Sequence, residues 1–344
     1  MESSRKSSLT DKLKALGINT AFGFTGLSLG PVIGGLLITQ FSTWRAPFCA
    51  LVAAYLILAA LSARWLPKAT APGSGRSIDL PGSLSFIGGL VLLMLGLSLG
   101  RLSGWTTLPA LAALVSGVAM LGLFARLELR TTQDPMLDLR AFGKNSQFTL
   151  GCVATLFHYM SAHHGVTVLV SFYVQWAMNQ TAAVAGMITL AKFLTMAIFS
   201  PFSGWLSDKV GTRWLCGTGM AFISASLVLL ATSGPAAGLT DVFLRLSLLG
   251  VGIGLFASPN INAVLGSLPQ DELGTASGTL STVRSLGGTL GLVLAGSILA
   301  GSPAEADFAA QIKTAFFALS VVGLLGIVVS AARGRRVPDH PNAA

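Results

Sequence analysis

The chain has 344 residues, of which 52% are hydrophobic and 10% charged, and its net charge is +9. Soluble globular chains carry about 25% charged residues, so this composition excludes a soluble domain and points to an all-α integral membrane protein. The positive balance does not mark a nucleic-acid binder, because the Lys and Arg residues sort by loop and form no patch.

Residues 1–14 are polar and charged with no apolar core, so they are not a signal peptide. Ten apolar stretches follow, at 19–39, 45–66, 83–101, 106–126, 147–176, 182–206, 212–232, 241–264, 277–300 and 310–332. Each reaches about 20 residues, the length that crosses roughly 30 Å of hydrocarbon at about 1.5 Å per residue. Continuous apolar runs require helices, since barrel strands alternate and lipid offers no partner to an open backbone group. Threading ten spans puts sixteen Lys and Arg residues, from Arg5 to Arg336, on one side, and Arg45, Arg101, Arg245 and Lys313 on the other. The positive-inside rule makes the richer side cytoplasmic and predicts a multi-pass plasma-membrane protein with both termini inside. Cys49, Cys152 and Cys216 sit in separate apolar spans without CxxC spacing, so they indicate packing and neither a disulfide framework nor a thiol metal site.

The first span holds Gly17, Gly26, Gly30, Pro31, Gly34 and Gly35 in the spacing G-x8-G-x3-GP-x2-GG. On a helix Gly26, Gly30 and Gly34 form a stripe without side chains, against which a neighbouring helix can close. The pattern resembles the glycine-proline signature of antiporters in the major facilitator superfamily. Residues 67–82, rich in Pro, Gly, Ser and Ala, read as a flexible cytoplasmic connection, and 127–146 as a second one with a turn at Asp134-Pro135. Six spans with short loops complete the chain. Between the sixth and seventh stands Gly204-Trp-Leu-Ser-Asp208-Lys209-Val-Gly211-Thr-Arg213. An ordinary helix turn accounts for its glycines but not for the order of its charges. It resembles the superfamily's G-x-L-x-D-R-x-G-x-R loop, whose Asp belongs to a charge cluster that holds the inward gate shut. Lys209 stands where Arg is usual, keeping charge but losing bidentate geometry.

Further stretches narrow the resemblance: Pro135 to Phe142, Phe172-Tyr-Val-Gln175, Ser258-Pro259-Asn260, Gly274 to Gly278, Val283-Arg284-Ser-Leu-Gly287-Gly288 and Gly291. These are similar to the fourteen-helix drug:proton antiporter branch, over nearly all of 14–332. That branch has four helices ahead of the glycine-proline helix, so the resemblance implies a chain that is incomplete at its amino end. The implied fold is an incomplete major facilitator assembly of about ten transmembrane helices. Its parts would be a remnant of the amino-terminal bundle (1–66), a connection with two linker helices (67–146) and a six-helix carboxy-terminal bundle with its tail (147–344).

Ionisable groups within a membrane are costly and therefore functional candidates. Lys192 lies about ten residues into the sixth span and is expected to face a polar cavity, as a contact for substrate or anion or for backbone carbonyls. Arg284 lies about one-third into the ninth span. His158, His163 and His164 cluster midway along the fifth, where a proton relay, a metal site and an interhelical hydrogen bond are the readings to weigh; no acid accompanies them, which disfavours metal. Asp241 and Arg245 read as an i to i+4 surface pair. All thirteen Asp and Glu residues fall in loops, tails or span ends, so this chain carries no mid-membrane carboxylate to couple protons or attract cationic drugs. There is no HExxH or P-loop, and Gly250, Gly252 and Gly254 read as close helix packing. The sequence thus predicts no enzyme, no cofactor, no metal and no nucleic-acid partner. It predicts proton-coupled efflux of small hydrophobic or amphipathic compounds, with Lys192, Gln175, His158 and Arg284 as cavity residues and with substrate, protons and bilayer as partners. The alternative is a truncated, non-transporting membrane protein that associates with another membrane chain.

Overall fold

In the computed structural model of the chain, residues 26, 28–65, 79–130, 143, 145–234, 237–268, 273–299 and 305–333 are described. They form α1 (Ser28–Phe41), followed by α2 (Ala46–Trp65), α3 (Leu80–Ser103), α4 (Leu108–Arg130), α5 (Ser146–Ala162) and α6 (His164–Phe172). After these come α7 (Ala182–Val210), α8 (Thr212–Ala231), α9 (Leu239–Leu265), α10 (Leu273–Leu299) and α11 (Glu305–Ala331). No strand occurs among the described residues. The all-α expectation holds. Eight of these helices are long and apolar enough to cross a membrane: α2, α3, α4 and α7 to α11.

Two of the ten expected spans differ from prediction. The described part of the first is the shorter α1, and Gly17 lies outside the described residues. The fifth is broken. His163, at φ −107° and ψ −100°, leaves the helical region and separates α5 from α6, and a π-helical turn at Tyr173–Ala177 follows. Hydropathy sees one continuous apolar run across 147–176 because every residue at the break is tolerated in lipid by composition, whereas the break itself is a backbone event.

The helices α5 to α11 pack as one body in which α7 lies on α9, α9 on α8, α8 on α11, α11 on α5, and α10 along both α5 and α6. Its core is built from Leu169, Met220, Ile223, Leu246, Ile253 and Phe316 with their neighbours. Glycines set the closest approaches, as small residues do where lipid supplies no hydrophobic drive between helices. Gly250 and Gly254, four apart, face α7: an added Cβ would stand 2.8 Å from the Lys192 carbonyl carbon and 2.9 Å from Phe199 Cβ respectively. Gly252 faces the other way, against Gly219 of α8. The packing expected of these three glycines is what they do.

The hairpin of α3 and α4 closes on itself through Gly89, Gly96 and Gly117, and touches the body through α10. Asp79 caps α3, accepting from Gly82 N at 2.9 Å, and Pro81 sits in the first turn where its missing N–H costs nothing. In contrast, α2 has no buried residue at all.

A broken helix and its polar cluster

Asn145 starts the arm that carries the site. Its Oδ1 accepts from Gln147 N at 3.0 Å and Phe148 N at 3.1 Å, capping α5, and its Nδ2 donates to Ser267 O at 2.6 Å, fastening that end to the segment after α9. Three turns on, His158 is 1% exposed and stacks on Phe256 of α9, with centroids 4.2 Å apart and planes at 12°. A straight helix would point His158 and His163 apart, since residues five positions apart lie on different faces. The break turns His163 back, so that the two Nε2 atoms stand 3.2 Å apart. The His163 ring also lies flat on Tyr159, at 4.0 Å and 8°. The Arg284 guanidinium of α10 sits 5.8 Å from the Tyr159 ring centroid.

The small face of α10 makes this fold possible. A Cβ on Gly287 would come within 2.6 Å of Leu156 O, one on Gly288 within 2.5 Å of His164 Nδ1, and one on Gly291 within 2.9 Å of the Met160 carbonyl carbon. Gly165, just past the break, likewise faces Gly291 O at 2.6 Å. Glycine is required here because any side chain would separate α10 from the break.

Lys192 joins from α7. Its Nζ donates to Thr167 Oγ1 at 2.6 Å, and Thr167 Oγ1 in turn donates to His163 O at 2.9 Å, so the ammonium is tied to the backbone of the break. Nζ also lies 4.9 Å from the Phe193 ring centroid. The polar cavity expected around Lys192 is not open: the residue is 1% exposed, closed between α6 and α7. Its cost is met by a hydroxyl and an aromatic face in place of water. His158, His164, Lys192 and Arg284 all lie near enough to His163 to act on it electrostatically. Gln175 does not join them. It sits on the π-helical turn and donates to Ser171 Oγ at 2.8 Å.

A second polar node is one the sequence does not announce, since Arg333 counts there only among the sixteen cytoplasmic-side Lys and Arg residues. Just beyond α11, Arg333 is 5% exposed and donates to Leu150 O at 3.3 Å, Gly151 O at 3.4 Å and Asn260 Oδ1 at 2.5 Å. Asn260 Nδ2 donates to Thr155 Oγ1 at 2.6 Å. The node pins α11 to α5 and α9 at one end of the body. An Asn after Pro259 inside an apolar run was the available signal, as amide side chains in membrane helices seek partners across helices.

The glycine-proline helix α1 meets the start of α7. Added Cβ atoms on Gly35 and Gly186 would stand 2.9 Å from the carbonyl carbons of Ala182 and Pro31, and Ala183 N donates to Thr39 Oγ1 at 3.3 Å. The contact edge is therefore Pro31, Gly35 and Thr39. The expected stripe of Gly26, Gly30 and Gly34 is displaced from it, and no described atom lies within 4 Å of a Cβ built on any of the three. At the other end of α7, Gly204 lies against Ser258, where a Cβ would come within 2.8 Å of Oγ. Lys209 Nζ lies 3.9 Å from the Trp205 ring centroid, and Gly211, at φ +91°, makes the turn into α8. The Asp208 side chain is outside the described atoms, and Arg213 is exposed. Asp241 and Arg245 form the i to i+4 ion pair at 2.8 Å.

Residues 146–344 match the family model described as Major Facilitator Superfamily. Multidrug resistance protein Stp of Mycobacterium tuberculosis is 29% identical over 290 residues, 84% of this chain and 53% of its own. Riboflavin transporter RibZ of Clostridioides difficile is 30% identical over 294 residues, 85% of this chain and 62% of its own. Puromycin resistance protein pur8 of Streptomyces alboniger is 28% identical over 296 residues, 85% of this chain and 58% of its own. The chain thus spans between half and two thirds of the length of these curated relatives.

Proposed function

The chain belongs to the major facilitator superfamily, and on that premise we propose that it carries out proton-coupled export of small hydrophobic or amphipathic compounds. It is a multi-pass membrane transporter and not an enzyme. The observation that carries the export reading is the seam between α1 and α7, where two helices meet backbone to backbone through Pro31, Gly35 and Gly186. A seam without side chains can close tightly against leak and part as a rigid unit, which alternating access between bundles requires. Relatives named for multidrug and puromycin resistance, and one named as a riboflavin transporter, support a small-molecule cargo.

In this reading residues 1–66 supply one side of the seam, 67–146 connect, and 147–344 form the moving six-helix body. The glycine-proline motif seals the outer side. Gly204 to Arg213 forms the cytoplasmic gate, with Lys209 held on Trp205 and Gly211 setting the turn. In this reading Arg284 and Gln175, both half-buried, line the substrate path, while His158 and Lys192 are fully buried and closed off from it. Lys192 and Arg284, without a mid-helix carboxylate among the described residues, favour neutral or anionic cargo. The exposed α2 is where further helices or a second membrane chain would pack.

The test is uptake of riboflavin, puromycin and an amphipathic aryl carboxylate into liposomes holding the purified 344-residue chain under an imposed pH gradient. Accumulation of at least one compound that an uncoupler abolishes is expected. No gradient-dependent flux of any of them would contradict the reading.

A further inference from the structure

His158 and His163 face each other through Nε2 atoms 3.2 Å apart inside the body. That contact is a hydrogen bond only when one of the two nitrogens carries a proton and the other is bare. His158 Nδ1 is buried and has no hydrogen-bond partner among the described residues. If His158 donates through Nε2, its Nδ1 is a bare basic nitrogen; if it accepts there, Nδ1 carries an unsatisfied N–H. Orphaned N–H groups are the rarer of the two in buried protein. The favoured arrangement therefore holds a vacant proton position within the membrane-spanning part of the chain.

We propose that the His158–His163 pair is the proton-binding site of this bundle, taking up one proton from water and holding it as a hydrogen-bonded imidazolium–imidazole. One added proton leaves the bridge intact, because an imidazolium N–H can still donate to the neutral ring, and a charge-assisted bond is the stronger kind. Two added protons would set N–H against N–H and drive the rings apart. The capacity of the pair is thus a single proton. Both rings are built to carry charge, since Phe256 lies flat against His158 and Tyr159 flat against His163.

The groups around the pair fix what moves with that proton. Tyr159 faces it from α5, His164 from α6, Lys192 from α7 and Arg284 from α10, while α9 presents the uncharged ring of Phe256. A loaded pair is a further positive charge among cations. Its energy therefore depends on how close α7 and α10 stand to the break. His163 itself lies outside both helices and is tied through Thr167 to Lys192, so a change in ring position is felt at the joint between α5 and α6. Loading on one face of the membrane and release on the other would follow as the six-helix body rocks, with small shifts of α7 and α10 at that joint changing the energy of the loaded pair.

This inference deepens the proton coupling proposed above and rests on it, and the test separates the two. The full chain, labelled with 15N-histidine, is placed in nanodiscs and titrated by NMR over roughly pH 5 to 9; its four histidines keep the spectrum simple. The expected result is that His158 and His163 change together in one step worth a single proton, and that His163→Asn abolishes the change at His158. Independent titration of the two rings, or no change at either, would overturn the proposal without any variant being needed. In the flux assay, His163→Asn should lose acceleration by the pH gradient while keeping substrate-gradient exchange. Intact gradient acceleration in that variant would overturn the pair as the coupling site but leave export standing. If the wild-type chain shows no flux, the export reading fails and the titration alone still decides whether the pair binds the proton.

Discussion

Replacing Gly35 or Gly186 by Ala should open the seam between α1 and α7. A Cβ on Gly35 would lie 2.9 Å from the Ala182 carbonyl carbon and 3.0 Å from Ala183 Cα, and one on Gly186 2.9 Å and 3.1 Å from Pro31 and Val32 backbone atoms. Carbon atoms in ordinary contact sit about 3.5 to 4.0 Å apart, so the helices must part by roughly 0.5 to 1 Å. The obstructing atoms are backbone, so no side chain can swing away. Forcing a methyl into such a contact costs about 1 to 3 kcal/mol, which lowers the closed population relative to the open one by roughly 5- to 150-fold. Spin labels at Gln40 and Asn179, in a Cys49→Ser background, report the distribution between the two forms, and proton leak through loaded liposomes reports the seal. The open population and the leak should both rise by that factor in each single variant. The double variant should fall short of the sum, because both methyls act on one contact. Normal helicity with unchanged distances and unchanged leak would refute the reasoning.

The remaining predictions concern the buried polar groups and one turn. Thr167→Val removes the hydroxyl that receives Lys192, at a cost of about 1.5 to 3 kcal/mol for a hydrogen bond to a charged group; the melting temperature should fall in Thr167→Val and recover when Lys192→Met is added, and no recovery would place the loss elsewhere. Arg333→Gln breaks contacts to Leu150, Gly151 and Asn260, where losing hydrogen bonds from a charged group and leaving their buried acceptors unmet costs about 1.5 to 3 kcal/mol. Arg245→Ala, which loses the partly exposed ion pair to Asp241 and bonds to Leu229 O and Ser233 Oγ, should cost less than Arg333→Gln because its charge lies nearer water, and thermal unfolding of the two variants in detergent checks that order. Gly211→Ala forces a methyl-bearing residue into φ +91°, a strain of about 1 to 3 kcal/mol; Gly217→Ala, inside α8 where no described atom lies within 4 Å of the added methyl, is the control and should melt at or slightly above the wild type, since Ala favours the helix.

Helix existence and placement were legible because lipid allows few alternatives: an apolar run of spanning length with no internal charge must be a helix. The asymmetry of Gly250, Gly252 and Gly254 was legible as packing for the same reason. What one dimension withholds is which face of a helix meets which neighbour. In soluble proteins the polar face marks solvent, but these helices are apolar all round, so the pattern around the axis carries little direction. The contact edge of α1 therefore fell on Pro31, Gly35 and Thr39, displaced from the regular glycine stripe. Lys192 was recognised as unusual by its depth, yet the sequence could not show that Thr167 closes over it. The pairing of His158 with His163 was hidden because an intact helix separates them, and only the backbone at His163 brings them together. Arg333 looked like a tail charge because its partners, Leu150, Gly151 and Asn260, are distant in sequence and two of them offer only backbone oxygen.

The proposed function ties substrate movement through this chain to proton movement in the opposite sense. Liposomes carrying the purified chain and a trapped pH dye, with no pH gradient imposed, are given an outward gradient of whichever compound proves to be transported. The lumen should acidify as the compound leaves, at a rate set by its gradient and lost in His163→Asn. Departure of the compound with no change in lumenal pH, or with alkalinisation, would contradict it.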